Sequence, residues 1–524
     1  MPRQRPVISP VFSALLSGVL LFLSYPPFSL GFLAWFAFIP FFMALSQASS
    51  LGGAFLTGFG TGFVFFFVSI QWFIYVTPLG WVLAAGFEAL FIGLFAACVY
   101  ETRTDRHFLL RLFLIGAAWT AAEFLRAKFP ILGFGWNLLG DSQAFSETIV
   151  QTANVFGVYG LGFVVMAVNG CLYEIIDRRL GARDQKPKKK RSRVTGPLSV
   201  VIIIFVLLIS HGIYHKKHGG KHSGDFKISV IQGNIPQSVK WEVMARDKII
   251  EIYSKLTQLA SFDGPSLIIW PEAAYPGYFN RDTDAAIVKN LVKQLEVPVL
   301  VGAPHLENDD VAYNSAYLVG SDGEIKKRYD KQILVPFGEY VPLKTFLGGL
   351  TKFAYSLGVS DFTAGREKIV FDILNHEISF SVLICFEDTF PELAREFVDR
   401  GAQFLTVITN DAWFGNSGAA AQHLQASILR AVENGVPVVR AANTGISGFI
   451  SNRGKVLGRV TEKGRDIFVA GRETAALPID KKETLYRAGG WIFPYVVSGL
   501  FVIILANVKT RDRKRQASDK KGKS

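Results

Sequence analysis

The chain has 524 residues, of which 50% are apolar and 19% are charged, a balance that excludes an ordinary soluble globular protein. Its net charge of +13 does not indicate nucleic-acid binding, because two short segments hold all of it. Residues 177–196 contain nine Lys/Arg and two Asp, and residues 509–524 contain eight and two. Each segment adjoins an apolar run, which is typical of the cytoplasmic flanks of membrane spans.

Eight apolar runs are long enough to cross about 30 Å of hydrocarbon. The fifth run is the weakest, because Arg111, Glu123 and Arg126 interrupt it. The first run is followed by no small-residue cleavage site, so we predict a retained span and not a signal peptide. The predicted spans are residues 11–27, 30–47, 52–75, 80–100, 109–127, 154–176, 197–213 and 489–508.

The distribution of basic residues predicts the orientation of these spans. Lys and Arg cluster in the loops at 101–111 and 177–196 and in the C-terminal tail, whereas the loops at 26–30 and 76–80 contain none. Both termini are therefore predicted to be cytoplasmic. Residues 214–487 are predicted to lie outside the cytoplasm.

Two carboxylates, Glu88 and Glu123, lie at or near the predicted membrane depth. Ionisable groups in hydrocarbon are costly, so both are candidates for a functional role. The alternative is that groups on neighbouring helices satisfy them. The aromatic loop at 128–152 is predicted to lie in the membrane interface.

From residue 226 onward, short β-rich segments alternate with helical ones. The strands FKISVIQ, SLIIW and VPVLVG are separated by predicted helices near 243–261 and 282–295, and further helices are predicted near 391–400 and 418–434. This alternation is typical of an α/β domain with helices covering the sheets.

The predicted fold class is therefore a multi-span α-helical membrane domain plus an extracytoplasmic α/β domain. Composition places the boundaries where apolar runs give way to mixed sequence. The predicted domains are a seven-helix membrane domain at 1–213, the α/β domain at 222–487, a C-terminal transmembrane helix at 488–508 and a basic cytoplasmic tail at 509–524.

Cysteine usage singles out one residue of the α/β domain. Cys98 and Cys171 fall in predicted spans, so Cys385 has no partner for a disulfide within its own domain. It ends the strand ISFSVLIC, where a strand meets a turn, and nucleophiles are often presented at such positions. The residues alone leave two interpretations open, a catalytic thiol or a packed strand-end thiol.

Two other strand ends offer partners for this thiol. Glu272 follows SLIIW and a proline, and Lys331 follows EIKKRYD. If the three converge, Glu272 would take the proton of Cys385 and Lys331 would stabilise an oxyanion. Spacing alone does not establish convergence, and each partner taken singly is more typical of a solvated turn. Possible supporting groups are Glu339, Glu387 and the backbone N–H of Phe386.

Three motifs resemble the Glu-Lys-Cys triad of the nitrilase, or carbon-nitrogen hydrolase, superfamily. They are WPE at 270–272, YDK at 329–331 and ICFED at 384–388, each weak alone but specific in this order and spacing. Longer strings are similar to one family of that superfamily, the apolipoprotein N-acyltransferases. These strings are QGNIPQSVKW at 232–241, LVPFGEYVPL at 334–343, NDAWFG at 410–415, QHLQ at 422–425 and RAANTGIS at 440–447.

The resemblance implies an αββα sandwich and a ping-pong acyl transfer without a cofactor or a metal. Cys385 would take the sn-1 acyl chain of a phospholipid, typically phosphatidylethanolamine, as a thioester. It would then pass the chain to the α-amino group of the diacylglyceryl-cysteine of an apolipoprotein. Glu272 matches the general base and Lys331 the lysine that stabilises the intermediate.

The resemblance also assigns positions for substrate binding or active-site support: Trp241, Glu339, Phe386 and Glu387. At Phe386 this chain departs from the tyrosine of the family, which removes a hydroxyl but leaves the backbone donor. The implied location is the inner (plasma) membrane of a Gram-negative-type bacterium, with the catalytic domain periplasmic and the protein monomeric. The implied partners are a phospholipid donor, an apolipoprotein acceptor and the bilayer.

Two rival functions use the same features. A membrane-tethered amidase would need the same triad, but one span would suffice as its anchor. An inactive scaffold or transporter that retains the fold is the second rival.

Two further segments allow more than one interpretation. Residues 343–362 mix aromatics with glycines and predict either a mobile arm in the interface or an ordinary surface loop. A set of histidines at helical spacing would suit a metal. A juxtamembrane linker is favoured instead, because Gly219 and Gly220 break the helical pattern and no carboxylate or cysteine accompanies the histidines. That set is His211, His215, His218 and His222.

Overall fold

The computed structural model describes residues 9–103, 107–181, 190–217, 226–240, 242–342, 361–373, 377–480 and 482–521. The described chain divides into two compact units, one formed by 1–129, 133–217 and 488–524 and the other by 130–132 and 218–487. We call them the membrane unit and the α/β unit.

Helices occur in both units. In chain order they are α1 (Pro10–Leu23), α2 (Ile39–Leu45), α3 (Leu51–Ser69), α4 (Pro78–Thr102), α5 (Phe108–Ala127), α6 (Ala153–Gly181), α7 (Lys190–Lys217), α8 (Arg246–Ser261), α9 (Ala285–Leu295), α10 (Pro391–Asp399), α11 (Ala419–Asn434), α12 (Leu485–Ala488) and α13 (Phe493–Lys521). Short 3₁₀ turns lie at Gly31–Trp35, Gln71–Tyr75, Leu139–Gln143, Val150–Thr152, Val243–Ala245, Cys385–Thr389, Asp411–Phe414 and Gly490–Ile492.

The strands all belong to the α/β unit. They are β1 (Lys227–Gln232), β2 (Leu267–Ile269), β3 (Val299–Asn308), β4 (Val311–Val319), β5 (Ile325–Asp330), β6 (Phe371–Ile373), β7 (Ile378–Ile384), β8 (Phe404–Thr409), β9 (Val438–Ala442), β10 (Gly448–Ile450), β11 (Val456–Arg459) and β12 (Gly471–Ala476).

Within the described residues, six helical segments of the membrane unit are long and apolar enough to cross a membrane. The interrupted fifth run forms one of them. The first two predicted spans are instead shorter apolar segments, Pro10–Leu23 and Gly31–Leu45, because prolines at 26, 27 and 40 interrupt the helical pattern there. The six segments are Leu51–Ser69, Pro78–Thr102, Phe108–Ala127, Val150–Arg179, Val194–Lys217 and Gly490–Val508.

Buried charges tie α4 and α5 to the aromatic loop that follows them. Arg126 pairs with Glu88 at 3.0 Å, and both side chains are almost fully buried. The guanidinium also donates to the carbonyl oxygens of Phe134 and Trp136. The carboxylate of Glu123 accepts the N–H of Leu139 at 2.6 Å. Glu88 is thus paired by a neighbouring helix, whereas only Oε1 of Glu123 accepts a hydrogen bond and its buried Oε2 has no hydrogen-bond partner among the described residues.

Helices α3 and α4 approach closely through glycines. A Cβ atom on Gly58 would meet the carbonyl oxygen of Ile92 and lie 2.5 Å from the Cβ of Ala96. A Cβ on Gly62 would lie 3.0 Å from the Cα of Ala89. Small residues spaced four apart let the two backbones pack in contact.

We expect Gly58→Ala to destabilise the membrane unit by about 1–3 kcal/mol, because the added methyl forces the two helices apart. The measurement is the thermal unfolding midpoint of the purified protein in detergent. Gly60→Ala is the matched control on the same helix, since a Cβ there meets nothing within 4 Å. Equal midpoints for the two variants would contradict the close packing.

The α/β unit contains two six-stranded sheets, ordered β12-β1-β2-β3-β4-β5 and β11-β10-β9-β8-β7-β6. In the first sheet β1, β2 and β3 run parallel, and β4, β5 and β12 are antiparallel to their neighbours. In the second, β7, β8 and β9 run parallel, and β6, β10 and β11 are antiparallel to theirs. Each sheet therefore has a parallel centre, in which the carboxyl ends of the three parallel strands lie at the same edge of the sheet.

The core layers explain why these strands are so apolar. Helices α8 and α9 pack on the first sheet around Tyr253, Trp270 and Val288, all fully buried. Helices α10 and α11 cover the second sheet, and the two sheets contact each other through β1 and β9. The unit is thus an αββα sandwich, as the family resemblance implies. Strands β11 and β12 are hard to recognise in the sequence, because these half-exposed strands lack a clear apolar alternation.

Candidate active site

Three strand ends of the α/β unit carry the residues that the sequence singled out. Glu272 follows β2, Lys331 follows β5 directly, and Cys385 follows β7 directly. The Nζ atom of Lys331 lies 3.4 Å from Oε1 of Glu272, and both side chains are buried. The charges of both residues act on the Cys385 thiol. The two sheets thus bring the three predicted residues into one site.

Hydrogen-bond donors surround the carboxylate of Glu272. Its Oε1 accepts from the side-chain amide of Asn314 at 2.7 Å, and its Oε2 accepts the backbone N–H of Asn410 at 2.8 Å. The next residue, Ala273, has a φ of 47°, a left-handed conformation that is uncommon for alanine. The carboxylate is therefore held in one orientation by both sheets.

Lys331 is paired with a second carboxylate, Glu339. Its Nζ lies 2.8 Å from Oε2 of Glu339. Burial disfavours the ammonium, but the charges of Glu339 and Glu272 outweigh it and raise the pKa of Lys331 above its usual value. The side-chain amide of Asn314 donates to Glu339 as well as to Glu272, so it bridges the two carboxylates. Lys331 is consequently a fixed, fully charged donor.

Cys385 has a left-handed backbone, with a φ of 53°. Such a conformation costs about 1–3 kcal/mol in a residue other than glycine and is found most often at functional sites. Burial and the charge of Glu272 raise the pKa of the thiol, while Lys331 opposes this effect. The resting thiol therefore carries its proton, and a nucleophile requires a base beside it.

Glu387 links the turn after Cys385 to the loop after Lys331. Its Oε2 accepts the N–H of Ile384, and its Oε1 accepts the N–H of Gln332 and the hydroxyl of Tyr329, all within 2.8 Å. Burial raises its pKa to about 7, against the effect of these bonds. It is Glu339 that contacts the ammonium of Lys331, and Glu387 positions the two backbones instead.

Glu387→Gln is expected to destabilise the α/β unit by about 1–3 kcal/mol, because the amide nitrogen must face an N–H or O–H donor whichever way it is placed. The thermal unfolding midpoint at pH 8 measures the effect, since the carboxylate is ionised there. Glu462→Gln changes an exposed glutamate on the same unit and serves as the control. A midpoint equal to that of the control would refute the bridging role of Glu387.

Of the remaining predicted residues, the structure describes Phe386 but not Trp241. Phe386 is buried and packs edge-on against Phe390, with ring centroids 5.1 Å apart. Trp241 lies outside the described residues, as do residues 343–360 of the predicted arm and two of the four histidines, His218 and His222.

The other two histidines, His211 and His215, lie within helix α7. Nε2 of His211 lies 3.0 Å from the side-chain oxygen of Asn154, and its ring lies 4.3 Å from that of His215. Within the described ranges, no group of three or more His, Cys, Asp or Glu is arranged to hold a metal ion.

Sequence reasoning missed four residues of the site. Asn314 lies inside β4, where a polar residue in an apolar strand was the only signal. The ammonium of Lys240 is buried and donates to the carbonyl oxygen of Glu272 at 3.1 Å. Burial lowers its pKa to about 8, while the charges of Glu272 and Cys385 oppose this. Lys240, Asn410 and His423 lie within motifs already singled out, but nothing in the sequence gave them a role.

Comparison with known proteins adds two family matches. Residues 17–171 match the apolipoprotein N-acyltransferase N-terminal domain, and residues 227–476 match the carbon-nitrogen hydrolase family. Among whole proteins, the chain is similar to the apolipoprotein N-acyltransferase of Geobacter metallireducens, with 35% identity over 94% of each chain. The protein of the same name from Chlorobaculum tepidum is 27% identical, over 97% of this chain and 98% of its own.

Solved structures also match part of the chain. A cysteine-to-alanine mutant of an amidase of the nitrilase superfamily from Nesterenkonia AN1 is 20% identical, with 49% of this chain and 92% of its own covered and a TM-score of 0.37. A Saccharomyces cerevisiae member of branch 10 of the same superfamily is 18% identical, covers 50% and 93%, and has the same TM-score of 0.37.

Proposed function

The chain belongs to the apolipoprotein N-acyltransferase family, and we propose that Cys385, Glu272 and Lys331 carry out its reaction. It is a membrane-bound acyltransferase that N-acylates lipoproteins. One observation carries the assignment of residues. Lys331 contacts Glu272 in a buried site, and the charges of both act on the thiol of Cys385.

In the first half-reaction, Cys385 takes an acyl chain from a phospholipid. Glu272 removes the thiol proton as Sγ attacks the carbonyl carbon of the sn-1 ester. The ammonium of Lys331 and the backbone N–H of Phe386 stabilise the oxyanion. The ester C–O bond then breaks, Glu272 returns the proton to the glycerol oxygen, and a lysophospholipid leaves. The acyl group remains on Cys385 as a thioester.

In the second half-reaction, the α-amino group of a diacylglyceryl-cysteine attacks the thioester. Glu272 accepts a proton from the amine, and the C–S bond breaks. The amide product leaves and the proton returns to Cys385, which restores the resting thiol. The resemblance assigns Trp241, Glu339 and Glu387 to substrate binding or to support of the active site.

The test of this mechanism is the mass of the Cys385 peptide after incubation with a phospholipid whose sn-1 and sn-2 chains differ. We expect a mass increase equal to the sn-1 acyl group, with release of the matching lysophospholipid. Adding a diacylglyceryl-cysteine peptide should remove the adduct and yield the N-acylated peptide. An adduct formed only from small amides would contradict the proposal and favour an amidase.

We also propose that the chain crosses the inner membrane eight times, with both termini cytoplasmic and the α/β unit periplasmic. The charge asymmetry of the loops and the six long apolar segments support this arrangement.

Two single cysteines, each introduced into a cysteine-free background, test the proposed topology. A membrane-impermeant maleimide should label Phe262→Cys in intact spheroplasts, because Phe262 is 83% exposed on the α/β unit. It should label Lys188→Cys only after lysis, and the reverse result would invert the topology.

A further inference from the structure

A fully buried histidine, His423, lies against the main chain of Cys385. It belongs to α11, and both of its ring nitrogens face oxygen atoms. Nδ1 lies 3.0 Å from Oδ1 of Asp411. Nε2 lies 2.9 Å from Oδ1 of Asp388 and 3.2 Å from the carbonyl oxygen of Cys385. The ring therefore has an acceptor at each nitrogen.

Both carboxylates are also bound by other donors. Arg440 lies 3.1 Å from Oδ2 of Asp388 and 3.8 Å from Oδ2 of Asp411. The hydroxyl of Thr409 donates to Oδ1 of Asp411 at 2.9 Å. Two carboxylates and Arg440 alone would leave one buried negative charge, which is costly in the interior. A charged His423 balances the cluster, with one N–H facing Asp411 and the other facing the Cys385 carbonyl oxygen and Asp388.

The electrostatics of the ring agree with this geometry. Burial lowers the pKa of His423, but Asp388 and Asp411 outweigh burial and the opposing charge of Arg440, and raise it to about 9. The imidazolium therefore persists across the physiological pH range.

The charge of His423 acts on the peptide unit that follows Cys385, the proposed nucleophile. The carbonyl oxygen of Cys385 and the N–H of Phe386 belong to one peptide unit, and in a trans peptide these two groups point in opposite directions. Holding the carbonyl oxygen against His423 thus turns the N–H of Phe386 away from the charged cluster. The left-handed φ of Cys385 needs such a restraint, because it is strained for a non-glycine residue.

We propose that His423 is a positioning residue for acyl transfer, which as an imidazolium holds the Cys385 carbonyl and thereby aims the Phe386 N–H at the oxyanion. The inference rests on the proposed role of Cys385 as the nucleophile. It predicts that losing His423 impairs the step that builds an oxyanion more than the chemical reactivity of the thiol itself.

The test compares two rates in His423→Gln, the formation of the Cys385 thioester from phospholipid and the alkylation of Cys385 by iodoacetamide. Thioester formation should fall about 100-fold, as for a lost oxyanion donor. Alkylation builds no oxyanion, so its rate should stay within about two-fold of wild type and the pH dependence of that rate should be unchanged. His305→Gln, which changes a half-buried histidine of β3, is the matched control and should leave both rates unchanged.

Thioester formation within two-fold of wild type would overturn the proposal, and so would an equal fall of both rates, which indicates a merely structural role. A wild-type protein that forms no thioester would instead refute the proposed function. If His423→Gln does not accumulate in folded form, the charge is measured in the wild type by ¹⁵N-histidine NMR. One of the eight histidines should remain an imidazolium at pH 8, and eight neutral rings would overturn the proposal.

Discussion

Cys385→Ser is expected to abolish lipoprotein N-acylation, with a fall in rate on the order of 10⁴-fold or more. The serine hydroxyl is far less acidic than a thiol, so a carboxylate base cannot ionise it to a useful extent. The acyl adduct at residue 385 should disappear together with the N-acylated product. Mass spectrometry of the N-terminal peptide of a lipoprotein, incubated with the purified variant and phospholipid, measures the loss.

Cys98→Ser is the matched control, because Cys98 lies in α4 of the membrane unit. That variant should retain wild-type rates of thioester formation and N-acylation. The unfolding midpoint of Cys385→Ser should stay close to that of wild type, which separates lost chemistry from lost folding. Residual N-acylation within ten-fold of wild type would show that Cys385 is not the nucleophile.

The sequence predicted much of the α/β unit, and particular residues show why. Strands β1, β2, β7 and β8 are mostly buried, so most of their residues are apolar and the runs are easily recognised. Since each run ends in a polar residue, the position of the site at the strand ends was predictable as well. The pairing of Lys331 with Glu339 also follows from their closeness along the chain.

Other features depend on contacts between residues distant in the chain. Asn314 bridges Glu272 and Glu339 only because β4 pairs with β5, and no local pattern encodes that pairing. In the buried charged cluster next to Cys385, Asp388 contacts both His423 of α11 and Arg440 of β9. Each of these side chains, taken alone, is indistinguishable from a solvated polar residue. Their burial is a property of the folded sandwich.

Glu272→Gln is expected to slow thioester formation by about 10²–10⁴-fold, because the amide cannot accept the thiol proton. The same substitution should have the opposite effect on alkylation of Cys385. The charge of Glu272 raises the pKa of the thiol, so its removal lowers that pKa and increases the thiolate fraction at neutral pH. Iodoacetamide labelling at pH 7 should therefore become faster while acyl transfer becomes slower.

Glu339→Gln is the matched control for this pair of measurements. Its carboxylate contacts Lys331 and Asn314, whereas the charges with the largest raising effect on the pKa of Cys385 are those of Glu272 and Asp411. The control should weaken the hold on Lys331 and slow transfer, but it should leave labelling of Cys385 at the wild-type rate. Slower labelling in Glu272→Gln would mean that the variant distorts the site. Unchanged transfer would mean that another group takes the proton. A base raises the pKa of the thiol that it deprotonates, so only opposite shifts of the two rates are consistent with Glu272 in that role.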